Sequence, residues 1–242
     1  MTEAGQPAFH LVEPVRKGNA FEETVERILD GIRLGVFPVD ERLPAERELA
    51  DHLGVSRSTL REALAELQAA GYLTVQRGRY GGAVVLPMSG RPVPGPPAIS
   101  RDQVEDVLVF RAVVEPAAAA LAARAVARNA ASAADLRDVA AAVTAAGPDQ
   151  YRPLDARFHL AIAELAGSRS LTAAVAQART RANELLDRIP FLAVNLAHSN
   201  EQHERIIAAI TAGKERPARE AMMEHLDGTA SLIRGFLTYK DS

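Results

Sequence analysis

Four residues in the second half of the chain have types and spacing suited to metal chemistry. Asp155 and His159 are four apart, so on a helix they stand side by side and can reach one ion. Their stripe continues through Ile162 and Ala166. His203 shares a face with Ile206, Ile207 and Ile210, and His225 shares one with Met222, Thr229 and Leu232. Two further helices that each turn an imidazole inward would complete an Asp/His3 set. Such N/O ligation suits zinc, nickel, manganese or another divalent first-row ion, and it leaves positions open for water or a carboxylate. Plainer readings use the same residues: a core histidine bonded to backbone, or an Asp–His surface ion pair. Turnover at such an ion would need a general base or an oriented water. Glu164, Glu201 and Glu204 are available for that, but no HExxH, P-loop, GxSxG or dinucleotide fingerprint is present.

A second constellation lies at 43 to 64, Leu-Pro-Ala-Glu-Arg-Glu-Leu-Ala-Asp-His-Leu-Gly-Val-Ser-Arg-Ser-Thr-Leu-Arg-Glu-Ala-Leu. A helix-turn-helix needs a short helix, a turn containing glycine, and a second helix that enters the major groove by its N-terminus. Gly54 supplies the turn, and Val55 can anchor it. Ser56, Arg57, Ser58 and Thr59 then fall at a helix start, where free N–H groups and the dipole favour phosphate. Arg57 and Arg61, four apart, project on one face and can read guanine or bind phosphate. Arg77 and Arg79 lie in a glycine-rich tip, Arg77-Gly78-Arg79-Tyr80-Gly81-Gly82. An isolated exposed Arg on a helix is ordinarily a weak ion pair, Arg47 or Arg61 with Glu48 or Glu62 here. The convergence of several such groups on one helix start and one tip points to DNA.

Elements that place these groups can be read from periodicity. Residues 21 to 34 carry apolar positions at 21, 25, 28, 29 and 32, a helical stripe. Residues 45 to 53 and 56 to 70 are two more helices, stopped by Gly54 and Gly71, with Ser56 as N-cap. Residues 72 to 76 and 83 to 86 read as two short strands of a hairpin. Together they predict a winged helix-turn-helix over 14–86. Five prolines (87, 92, 94, 96 and 97) then mark a linker over 87–100. Beyond it only helical period is found, with helices expected at 101–128, 132–146, 148–167, 169–188, 191–212 and 214–238. Pro116 is expected to kink or split the first of these. The fold class is therefore mainly α: a winged helix-turn-helix followed by an antiparallel all-helical bundle over 101–240.

Composition narrows the function further. The chain has 242 residues and no cysteine, which excludes disulfides, thiolate metal sites and cysteine nucleophiles. The formal net charge is −3, so any contact with nucleic acid must come from a local patch. No apolar run is long enough to span a bilayer, and the first residues lack a signal-peptide pattern. A cytoplasmic location with no membrane partner is expected.

The whole N-terminal segment resembles the GntR superfamily of bacterial transcription regulators, in its FadR-like branch. The likeness is carried by Leu-Pro-Ala-Glu-Arg-Glu-Leu-Ala, by Gly-Val-Ser-Arg-Ser-Thr-Leu-Arg-Glu-Ala-Leu and by Gly-Tyr-Leu-Thr-Val-Gln-Arg-Gly-Arg. It implies DNA contacts at Arg47, Ser56, Arg57, Ser58, Thr59 and Arg61, and wing contacts at Arg77 and Gly78. The second part resembles the FCD ligand domain, through Phe110-Arg-Ala-Val-Val-Glu115, Asp155-Ala-Arg-Phe-His159, Glu201-Gln-His203-Glu-Arg-Ile-Ile and Met223-Glu-His225-Leu. By that resemblance the metal ligands are Asp155, His159, His203 and His225, with zinc the first expectation. Some relatives lack these ligands and bind acyl-CoA; this sequence keeps all four. Arg111 is implied as the partner of an effector carboxylate, and its plainer role is an ion pair with Glu115. Glu115 itself, beside Pro116, reads as a residue that shapes its helix.

The expected function is thus a ligand-responsive transcription regulator, a repressor and not an enzyme. It would act as a homodimer on operator DNA, with a divalent metal and a small carboxylic acid in its C-terminal domain. Two alternatives stand beside it: a metal-dependent enzyme with an accessory DNA-binding domain, and a regulator whose metal is purely structural.

Overall fold

The computed structural model describes residues 12, 14–15, 18–33, 36–76, 82–86, 99–129 and 131–237. Arg77, Gly78 and the linker residues 87–98 lie outside them. The chain divides into two compact units, 1–96 with 231–237 and 97–230 with 238–242.

In the first unit α1 (Ala20–Arg33), α2 (Glu46–Leu53) and α3 (Arg57–Ala69) precede a hairpin of β1 (Leu73–Gln76) and β2 (Gly82–Val85). Phe21, Val25, Ile28 and Leu29 of α1 are buried, as are Leu49 and Leu53 of α2 and Leu60, Leu64 and Leu67 of α3. These are the stripes of the sequence, closed on one another. Gly54 ends α2 at φ 70°, ψ 27°, a left-handed conformation that a β-carbon disfavours. The Val55 N–H bonds back to the Ala50 carbonyl at 3.1 Å, which completes the turn. Ser56 caps α3, its hydroxyl accepting the Thr59 N–H at 3.0 Å. Gly71, at φ 76°, turns the chain out of α3, and the Tyr72 N–H reaches the Leu67 carbonyl at 2.8 Å.

The strands pair antiparallel with Leu73 opposite Val85 and Gln76 opposite Gly82. A further bridge joins Arg42 to Val84, flanked by Leu43 N–H to the Ala83 carbonyl at 2.8 Å and Val85 N–H to the Glu41 carbonyl at 3.0 Å. The sequence shows no strand there, because Asp-Glu-Arg-Leu-Pro is too short and too polar to display an alternation. Residues 231–237 also belong to this unit although the sequence assigns them to the helical part. Ile233, Phe236 and Leu237 are buried, and the Phe236 ring meets Tyr72 edge-on at 5.6 Å.

The second unit is built from α4 (Arg101–Ala127), α5 (Ala134–Thr144), α6 (Pro148–Leu165), α7 (Arg169–Leu186), α8 (Ala193–Thr211) and α9 (Glu215–Phe236). The last turns of α9 fall in the first unit. Ser100 opens α4 with a full capping box to Gln103. Pro116 does not split α4, which runs unbroken from 101 to 127. The proline costs one N–H donor, but Val114, Pro116, Ala118 and Ala119 are buried around it, and that packing outweighs the lost bond. One apolar cluster gathers Ala119, Ala122, Phe158, Ile162, Ile206, Ile210, Met222 and Leu226. A smaller one joins Val114 and Ala118 to Ala163, Val175 and Ala178. Small alanine faces let these helices approach closely. The polar residues described next lie among them.

Ser56→Ala should lower stability by about 1 kcal/mol through loss of the cap. Gly54→Ala should cost about 1–2 kcal/mol because it forces a β-carbon into the left-handed region. Chemical denaturation followed by circular dichroism would show both, with helix content in water unchanged.

Candidate functional site

The helix stripes bring Asp155 and His159 (α6), His203 (α8) and His225 (α9) to one place. All four are buried, and one ligand atom from each lies within 4.8 Å of every other. His225 Nε2 is 3.2 Å from His159 Nε2. Asp155 Oδ1 is 3.2 Å from His203 Nε2 and 3.8 Å from His159 Nε2. Phe158 stacks on His203 at 4.3 Å between ring centres.

The neighbours of these rings decide where their protons sit. His159 Nδ1 lies against Glu115 Oε2. His225 Nδ1 donates to Gln202 Oε1 at 3.0 Å. Both rings therefore carry the proton on Nδ1 and turn a bare lone pair on Nε2 toward the other. Two lone pairs at 3.2 Å repel unless a cation or a proton sits between them. Edges of this length are also what N/O donors at about 2.0–2.2 Å from one ion produce. Among the described residues, His203 Nδ1 has no hydrogen-bond partner, and its Nε2 faces Asp155 Oδ1. The donor set fits a divalent ion, and its outer partners are of the kind that orient metal-bound histidines.

Electrostatics follow from the burial. Burial pushes the Asp155 carboxyl up, but Arg179 and then His203 pull harder and hold it well below the usual range. Glu115 behaves alike, with burial opposed by Arg111 and then His159, and its pKa also falls. Burial lowers His159, aided by Arg179 and opposed by Glu115. Burial and then His203 hold His225 well below its ordinary value. The His159 and His225 imidazoles are thus poised as neutral ligands, and the Asp155 and Glu115 carboxylates as charged groups.

Arg111 is fully buried. The ion pair with Glu115 exists, with Nε donating to Oε1 at 2.7 Å. It does not exhaust the guanidinium, because Nη1 and Nη2 have no partner among the described residues. Glu115 sits mid-helix between Arg111 and His159, so its role is not confined to shaping α4. Arg179 on α7 is absent from the candidates that the sequence supplies, yet its Nη2 grips Asp155 Oδ2. A sign of it exists: Arg179 interrupts the apolar stripe Val175, Ala178, Ala182, Leu185. Gln202, beside His203, carries no such sign.

The other constellation lies at the start of α3. No acidic residue occupies its first turn, so the positive helix end is left open. Ser56 Oγ also lies 2.7 Å from Ser58 Oγ and 2.8 Å from Thr59 Oγ1. Glu46 on α2 holds Arg61, Nε donating at 2.7 Å, and lies 3.8 Å from Arg57. Arg47 faces Asp51 at 3.9 Å. The ion-pair partners are thus Glu46 and Asp51, not Glu48 and Glu62. These arginine side chains are 58%, 60% and 86% exposed for 57, 61 and 47, so the pairs are weak and can be exchanged for phosphate. Arg47, Arg57 and Arg61 line one groove of about 750 Å³ with Gln68 and Val75.

Residues 21–84 match the family described as "Bacterial regulatory proteins, gntR family", and residues 106–228 match the FCD domain. The chain is 30% identical over 246 residues to the "Putative L-lactate dehydrogenase operon regulatory protein" of Escherichia coli (strain K12), covering 93% of this chain and 90% of that one. The chain belongs to the GntR family, with an FCD domain of the FadR type. It is a DNA-binding transcription regulator and not an enzyme. A 54-residue stretch is 50% identical to the "Fatty acid metabolism regulator protein" of Haemophilus influenzae (strain PittEE), 22% of each chain. Among solved GntR-family structures, Streptococcus agalactiae GntR is 26% identical, with a TM-score of 0.41, over 87% of this chain and 98% of that one. Among the described residues, no helix is long and apolar enough to cross a membrane.

Glu115→Ala leaves the Arg111 charge buried without its carboxylate and should destabilise the protein by about 3–5 kcal/mol. Replacing both, Arg111→Met with Glu115→Leu, should cost less than the single change. Urea denaturation midpoints of the three proteins would show the order.

Proposed function

We propose that this GntR-family regulator is a metal-dependent sensor of a small carboxylic acid, and that it represses transcription from the cytoplasm. Asp155, His159, His203 and His225 would hold the ion, zinc before nickel or manganese. A bound divalent ion supplies a Lewis-acidic anchor for a carboxylate oxygen. The rest is the work of the chain. Glu115 and Gln202 keep the His159 and His225 protons on Nδ1, so Nε2 stays a donor. Arg179 fixes Asp155. Arg111 offers Nη1 and Nη2 to the effector. The observation that carries this reading is the pair of facing Nε2 atoms at 3.2 Å in a buried set of one carboxylate and three imidazoles, an arrangement that a shared cation accommodates. The name of the Escherichia coli relative, tied to an L-lactate dehydrogenase operon, makes small hydroxy acids worth testing.

On the DNA side, α3 would enter the major groove by its N-terminus. Ser56, Ser58 and Thr59 would meet phosphate, and Arg47, Arg57 and Arg61 phosphate or base edges. Arg77 and Gly78 complete the proposed contacts from the wing. A homodimer would present two such helices to a near-palindromic operator. Val109 and Val113, one turn apart on α4 and 60% and 62% exposed, give an apolar strip that suits a second copy. An effector that favours the arrangement with weaker DNA affinity lowers operator occupancy. A coupling of about 1–3 kcal/mol changes that affinity roughly 5- to 150-fold.

Fluorescence anisotropy with a promoter fragment tests the division of labour. Arg57→Ala should weaken binding by about tenfold or more. His159→Ala should keep DNA binding, lose the metal in elemental analysis and no longer respond to acids. Undiminished DNA affinity in Arg57→Ala would sink the DNA half. Unfolding on chelation, with no acid response in the loaded protein, would make the ion structural.

A further inference from the structure

Arg42 stands at the base of the wing, on the extra rung beside β2. Its backbone bridges to Val84. Bonds on either side secure that bridge: Leu43 N–H to the Ala83 carbonyl at 2.8 Å, Val85 N–H to the Glu41 carbonyl at 3.0 Å, and Asp40 N–H to the Val85 carbonyl at 2.9 Å. The side chain therefore starts from a fixed point. Pairing also sets its face. Leu73, Ala83 and Val85 are buried, so Val84, and Arg42 opposite it, lie on the outer face of the hairpin. Arg42 is exposed there.

Its stem has a direction. A β-carbon placed on Gly82 would lie 4.0 Å from Arg42 Cδ, so the stem runs along β2 toward the first residue of that strand. A glycine at this position leaves the path of the guanidinium clear. Gly82 also lines the groove that holds Arg47, Arg57 and Arg61. Those three arginines are answered by Asp51 and Glu46, and each must give up a carboxylate to take a phosphate. Arg42 has no ion-pair partner among the described residues, although Asp40 and Glu41 precede it. It can accept an anion without losing a contact.

We propose that Arg42 is a further DNA contact, which holds one backbone phosphate beside the wing. A guanidinium suits phosphate oxygens, and such a contact fixes register without reading sequence. This extends the DNA face proposed above and does not require the contacts of Arg77 and Gly78.

The test is fluorescence anisotropy with the full-length protein. One duplex carries the upstream region of the gene itself, the other a random sequence of equal length, and each is titrated from about 50 to 200 mM salt. Arg42→Gln should weaken both duplexes by the same factor. It should also reduce the logarithmic salt slope by about one for each bound protomer. Arg42→Lys keeps the charge and should restore the slope. Arg216→Ala, which removes an exposed arginine of the helical unit, should change neither quantity. Should Arg42→Gln fail to fold, Arg42→Thr, better suited to a strand, takes its place under the same criteria. An unchanged slope in the folded variant, with Arg57→Ala still weakening binding, would overturn the Arg42 contact alone. Unchanged binding in both would overturn the whole DNA face. A loss confined to the upstream duplex at an unchanged slope would make Arg42 a base reader and overturn the phosphate assignment.

Discussion

Charges that cannot reach water govern the interior of the helical unit. Arg111, Glu115, Asp155 and Arg179 are each buried, and each is tolerable only because a partner of opposite sign is within reach. The chain of contacts runs Arg111–Glu115–His159 on one side and Arg179–Asp155–His203 on the other. Each link sets the state of the next. Glu115 fixes the His159 proton, and Arg179 keeps Asp155 charged. Alanine-lined helices bring these groups together, since small side chains allow the close approach that long ones would block.

The same economy of partners appears in the first unit, with the opposite sense. There the charged residues are exposed, and their ion pairs are weak. Glu46 faces both Arg57 and Arg61, so one carboxylate answers two exposed arginines. A polyanion that supplies several phosphates competes readily with one solvent-screened carboxylate. The buried network is built to persist and the exposed one to exchange. That contrast suits a protein that holds one site fixed and makes and breaks contact at the other.

Much of this architecture is legible in the order of the amino acids. Apolar periodicity places the helices to within a few residues, because 3.6-residue spacing survives in the sequence whatever the tertiary contacts are. Ser56 and Gly54 announce the cap and the turn, because both act through local backbone geometry. Asp155 and His159 share one helix, so their pairing is a matter of spacing. Glu115 escapes such a reading for the converse reason. Its contact with His159 joins residues 44 positions apart on α4 and α6, and nothing local reveals it. Pro116 does not break α4, since the packing around it is not a local property.

Residue order alone thus settles the succession of elements, the caps, the family and the four polar residues that interrupt apolar stripes on three helices. These depend on neighbours along the chain. The packing of one helix against another settles the rest. It puts Glu115, Arg179 and Gln202 behind those four residues, lends the hairpin a rung from residues 40–43, and leaves Arg111 two unmet donors beside its ion pair. Each of these depends on which elements lie side by side, and long-range packing leaves no periodic trace in a single sequence.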